Sequence, residues 1–125
     1  MQELSQPAIR AGITVVIDAD ESANHLPAAQ RTTAYRIIQE ALTNVIRHSE
    51  AKTCRITIRT EGDDLRISIL DDGPGAALAS KNGHGLTGMR ERAQLMSGTF
   101  EAVQDASGYR VAVSLPGTAA RVETR

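Results

Sequence analysis

Aromatic residues are nearly missing from this chain: it has no tryptophan, one phenylalanine and two tyrosines in 125 residues. Three scattered rings (Tyr35, Phe100, Tyr109) make no platform for stacking nucleic-acid bases. The core must therefore be built from aliphatic side chains and alanine. Excess charge is missing too. The 14 basic and 15 acidic residues leave a formal net charge of -1, which argues against a nucleic-acid binder working through a broad basic face. Cysteine occurs once, at Cys54, among strand-like residues. No intrachain disulfide can form, and a buried thiol fits a reducing compartment. No apolar run reaches the roughly 20 residues that span a bilayer. The N-terminus has no basic stretch followed by an apolar one, so no signal peptide is expected. No cysteine–histidine cluster has zinc spacing; His25, His48 and His84 lie far apart in sequence, and there is no nucleophile elbow. Structural metal sites and hydrolase triads have little support.

What remains is an ordinary globular composition, 41% hydrophobic and 23% charged, in a chain of one-domain length. Ile13 to Asp18 reads as a strand, with Ile13, Val15 and Ile17 on one side. Pro27 stands near the start of a long helix that runs to about His48. Thr53 to Thr60 alternates as a second strand, Ile56 and Ile58 inward, Thr57 and Arg59 outward. After a turn at Glu61-Gly62-Asp63-Asp64, Leu65, Ile67 and Ile69 mark a third strand, so Thr53–Leu70 is expected to be a hairpin. Gly73 to Gly85 reads as a mobile loop. Leu86, Met89, Ala93 and Met96 give a second amphipathic helix, with Gly98 expected to cap its end. Thr99–Gln104 and Tyr109–Leu115 form a last hairpin. Residues 1–10 and the polar tail Gly117–Arg125 are expected to be loosely ordered. The expected fold class is α+β: a two-layer sandwich, mostly antiparallel sheet with helices on one face.

The most informative stretch is Arg36 to His48. Read as a helix, it has an apolar stripe (Ile37, Ala41 and Val45, flanked by Ile38, Leu42 and Ile46). Arg36, Glu40, Asn44 and Arg47/His48 share the other stripe. A carboxylate, an amide and two potential cations on one stripe suit a metal-bound polyphosphate. Alone, this is no more than a solvated helix face. Two later segments change that.

Asp71, in Asp71-Asp72-Gly73-Pro74-Gly75, continues the inward alternation of Leu65, Ile67 and Ile69. Its carboxylate is therefore expected on the core side, where it needs a donor. An amino group on a bound heterocycle would serve, and Gly73 and Gly75 would let a flat ligand approach the backbone. Asp72 points the other way and reads as a turn acid. Gly83-His84-Gly85 precedes the second helix, where backbone N–H groups can converge on an anion. His84 is read as a loop residue with phosphate contact at most. The segment lacks the Lys-Ser/Thr ending of a P-loop.

Together the three segments resemble the ATP-binding catalytic domain of bacterial sensor histidine kinases, in the GHKL superfamily. Arg36–His48 is similar to the N box, Asp71–Gly75 to the DxGxG pattern of the G1 box, and Gly83–Arg92 to the G2 box. The Gly-Met-Arg-Glu-Arg run and short lid resemble the NarL-type class. The resemblance spans about residues 10–117 and implies the Bergerat/GHKL ATPase fold over a single domain, residues 1–125, as a fragment of a longer kinase. It implies that Asn44 coordinates Mg²⁺, that Glu40 lies near the γ-phosphate, and that Arg47 and His48 approach the phosphates. Asp71 would accept from the adenine amino group. Gly73, Gly75, Gly83, His84, Gly85 and Leu86 would shape the nucleotide pocket and lid. The implied cofactors are ATP and Mg²⁺, and the implied reaction is γ-phosphoryl transfer to a histidine on a separate dimerisation domain, for relay to a response regulator. The implied location is cytoplasmic, with the parent's membrane anchorage left open and no nucleic-acid or membrane contact by this domain.

The sequence departs from the family in two places. The usual Gly-Thr pair at the start of the last strand is Gly108-Tyr109 here, so the threonine's adenine contact is lost or replaced. There is also no recognisable F box, as is common in this class. None of the three histidines sits in the acidic helical context of a phosphoacceptor, so the domain is expected to bind ATP without phosphorylating itself. Two alternatives stay open: an anti-sigma-factor serine kinase of the same superfamily, and a degenerate non-catalytic module.

Overall fold

The computed structural model describes residues 2–48, 51–73, 84–106 and 108–117. In chain order the elements are α1 (Gln2–Arg10), β1 (Thr14–Ala19), a short 3₁₀ turn (Glu21–His25), α2 (Ala28–His48), β2 (Thr53–Glu61), β3 (Asp64–Asp71), α3 (His84–Leu95), β4 (Thr99–Asp105) and β5 (Gly108–Leu115). The five strands form one sheet in the order β1-β2-β3-β5-β4. Only β1 and β2 run parallel; the other three pairings are antiparallel. The expected α+β architecture is therefore the observed one.

Parallel neighbours cannot be joined by a tight turn, and α2 supplies the crossover from β1 to β2. Its apolar stripe explains where it lies. Ile37, Ile38, Ala41, Leu42 and Val45 are all buried in the core that α2 shares with the sheet, α1 and α3. Cys54, Ile56 and Ile58 of β2, Leu65, Ile67 and Ile69 of β3, and Val111, Val113 and Leu115 of β5 form the inner face, and Met89 and Ala93 of α3 close it. Gln30 ties the start of α2 to the strand ends: its buried Nε2 donates to the Leu115 carbonyl at 2.8 Å and to that of Asp63 at 3.1 Å. The β2–β3 hairpin turns through Gly62 at φ 63°, a left-handed conformation that glycine adopts without a side-chain clash.

Two expectations are corrected. Residues 2–10 are not a loose end but the helix α1, packed on α2 and the start of β1. Ser5 and Ala8 are its buried contacts, and Ile13 N–H donates back to the Ala8 carbonyl at 3.0 Å. These two small side chains let helices approach closely. The second correction concerns the end of α3. Ser97, not Gly98, takes the left-handed conformation, at φ 62°. Gly98 instead donates the closing bond to the Ala93 carbonyl at 2.7 Å while Ser97 N–H reaches Gln94 at 2.9 Å, the paired pattern of a Schellman cap. The expectation for residues 118–125 lies outside the described residues.

Candidate active site

The site lies between the sheet's inner face and the helices, where β3 ends. Asp71 does point inward, as the alternation predicts, and is 3% exposed. Its Oδ1 accepts from the Gly73 N–H at 2.8 Å, so the turn that begins there folds back over the carboxylate. Asp72 faces outward and is more than a turn acid. Its Oδ1 accepts from the backbone N–H groups of Lys52 (2.8 Å) and Thr53 (3.1 Å), and those donors hold its pKa below the usual carboxylate range. The strand end that carries Asp71 is thereby pinned to the start of β2.

The register places Asp71 between Cys54 of β2 and Tyr109 of β5. Gly108, at φ 134°, makes this possible: a Cβ there would run into the Asp71 carbonyl oxygen. Tyr109 is buried, and its hydroxyl is cut off from solvent with no partner among the described residues. Burial, and then the Asp71 charge, push its pKa up to about 12, with Arg90 acting weakly the other way. Burial likewise pushes the Cys54 thiol to about 12, with Asp71 and Asp72 adding to it.

Asp71 and Tyr109 line a cleft with Ala41, Asn44, Val45, Ile69, Met89 and Val111. The walls are apolar except for a carboxylate, a phenol and an amide. That donor set fits a flat heterocycle with a hydrogen-bonding edge. The cleft is narrow, with a volume of about 10 Å³ clear of its walls, about one water's worth.

Asn44 stands on α2 facing this cleft, half-buried, one turn after Glu40. Glu40 meets Arg92 of α3, an ion pair the sequence reading did not foresee. Arg47 is exposed at the end of α2. Gly73 is buried beside Asp71. His84, Gly85 and Leu86 form the first turn of α3; their side chains, that of His48, and the whole of Gly75 and Gly83 lie outside the described residues. The structure thus brings Asp71, Asn44 and Tyr109 into one cleft, with Glu40 a helical turn away. Arg90, which reads as a wet-side residue of α3, stacks over Phe100 at 4.9 Å, fixing α3 against β4.

Residues 29–119 match the family model described as histidine kinase-, DNA gyrase B-, and HSP90-like ATPase. The chain belongs to this ATPase family. Among curated proteins it is similar to the sensor histidine kinase YxjM of Bacillus subtilis, 43% identical over 110 residues, covering 86% of this chain and 27% of that protein. It also resembles the signal transduction histidine-protein kinase/phosphatase UhpB of Salmonella typhimurium, 40% identical over 98 residues, 78% of this chain and 19% of that protein. The chain thus spans about a quarter of the length of such relatives. Among solved structures it shares its fold with the blue-light activated histidine kinase of Erythrobacter litoralis EL346, with a TM-score of 0.78 at 20% identity over 97% of this chain and 40% of that one.

Proposed function

We propose that this chain is the ATP-binding catalytic domain of a two-component sensor histidine kinase, one part of a longer protein. The observation that carries this reading is the buried Asp71 carboxylate in a mostly apolar cleft that Asn44 of α2 and Tyr109 of β5 also line. Asp71 accepts from the adenine amino group. The orphaned Tyr109 hydroxyl gains a partner on the bound base or on a water beside it, taking up the supporting role that a threonine has elsewhere in the family. Asn44 offers Mg²⁺ one protein oxygen. Among the described residues no cluster of three or more acidic, histidine or cysteine side chains could hold a cation; Asn44 is the residue that would hold the ion here. When bound, Mg²⁺ would supply charge neutralisation for phosphoryl transfer. Glu40 sits near the γ-phosphate, and Arg47, His48 and the N–H groups at the start of α3 approach the phosphates. Gly73, Gly75, Gly83, His84, Gly85 and Leu86 shape the pocket.

The acceptor histidine belongs to a dimerisation domain of the same protein, and a response regulator receives the phosphoryl group. The domain works in the cytoplasm; no described helix is long and apolar enough to cross a membrane. The test is a transfer assay with radiolabelled ATP. Label appears on a dimerisation domain supplied in trans and not on this chain alone. Stable label on the isolated chain contradicts the assignment.

A second reading, a module that has lost nucleotide, draws on Tyr109 and the narrow cleft. It predicts no ATP binding by a folded chain. Selectivity separates the two further: guanine presents an acceptor where adenine presents an amino donor, so GTP binds far more weakly if Asp71 reads the base.

A further inference from the structure

Glu40 and Arg92 come from different helices and meet over a bare patch of backbone. The Arg92 Nε lies 3.5 Å from the Glu40 Oε1, with the side chains 37% and 31% exposed. Both of these atoms are cut off from solvent, and neither has a hydrogen-bond partner among the described residues. The charges attract at this distance, yet the contact is too long for a normal hydrogen bond. Gly88 stands one turn before Arg92, on the same face of α3. A Cβ at Gly88 would lie 3.0 Å from Glu40 Oε2 and 3.1 Å from Oε1. Helix α3 therefore presents the carboxylate with open backbone at one position and a guanidinium four residues later.

We infer that Gly88 and Arg92 form a seat that fixes the Glu40 carboxylate, and that Arg92 is a positioning residue for phosphoryl transfer. The inference rests on the reading of Glu40 as the carboxylate beside the γ-phosphate. The long contact suits that role. It holds the carboxylate by charge and shape at the enclosed Oε1 and leaves Oε2 to accept from an incoming donor, such as the N–H of an acceptor imidazole. A tight bidentate pair would have used both oxygens. Glycine at 88 serves the same end, because any side chain there would press on the oxygens.

The test compares Arg92→Met, Arg92→Lys, Gly88→Ala and Glu40→Gln in the kinase that carries the acceptor histidine. It measures kcat and KM for ATP together with Tm. Arg92→Met lowers kcat roughly tenfold or more, as a misplaced reacting group does, with KM for ATP changed less than about threefold because uniform binding is untouched. Arg92→Lys recovers part of the rate. Gly88→Ala slows transfer without lowering Tm, since alanine is the better helix former. On a Glu40→Gln background Arg92→Met adds no further loss, because the two act as a unit. A wild-type kcat in Arg92→Met overturns the inference, as does an equal further loss on the Glu40→Gln background. So does a rise in KM at constant kcat, which would make Arg92 a phosphate contact instead. In all three cases the kinase reading survives. A wild-type protein that transfers nothing to histidine overturns that reading and the seat with it.

Discussion

Tyr109 concentrates the tension of the site in one residue. Its ring fills the wall of the cleft, while its hydroxyl is buried without a partner among the described residues. A buried polar group left unpaired costs about 1–3 kcal/mol. Tyr109→Phe should therefore stabilise the free protein by about 1 kcal/mol, read as a higher Tm, and weaken ATP binding severalfold, read by calorimetry. A variant that loses stability, or binds ATP as tightly as the parent, counts against the hydroxyl's role. Its neighbour Asp71 was legible in the sequence because strand alternation fixes side-chain direction. The isolation of the Tyr109 hydroxyl was not, since it depends on what four separate elements leave around one oxygen. The Glu40–Arg92 contact was hidden for the same reason: neither residue's own helix periodicity says which partner it meets.

Among the elements, α3 carries its strain at a position the sequence did not mark. Glycine at 98 suggested the cap, but the left-handed residue is Ser97. Gly98 is needed for a different reason: a Cβ there would strike the Ser114 carbonyl oxygen. Ser97→Gly should then stabilise the domain by roughly 0.5–1 kcal/mol, because a non-glycine residue pays for the left-handed conformation. Urea unfolding measures this, and an unchanged or lower midpoint argues that Ser97 makes a compensating contact. The long helix α2 and the two hairpins were readable to within a residue or two, their periods being long and strong. Helix α1 was not; among its described side chains the buried ones are the small Ser5 and Ala8. Small residues stabilise by close approach and leave little trace in hydropathy.

At the scale of the whole molecule, the sheet and its helix layer were legible as a class. The parallel pairing of β1 with β2 follows from the crossover helix between them rather than from either strand's residues. The fold holds two protons on its inner face beyond their ordinary range. An unfolded cysteine titrates near 9 and a tyrosine near 10, whereas folded Cys54 and Tyr109 keep their protons to about 12. Between those values the folded state binds more protons than the unfolded one. Stability should therefore fall as pH rises from about 9 towards 12, while below this window the two groups leave it unchanged. Chemical denaturation across that range shows the slope, and Cys54→Ala should flatten it. A slope identical in the variant would place the thiol's contribution elsewhere. The central claim, that this inner face is an adenine site, is tested most directly by titrating the chain with Mg-ATP in a calorimeter beside Asp71→Asn. The account predicts binding by the parent chain and a loss of at least tenfold in affinity for the variant, about 1.4 kcal/mol or more. Equal affinities in two folded proteins would contradict it.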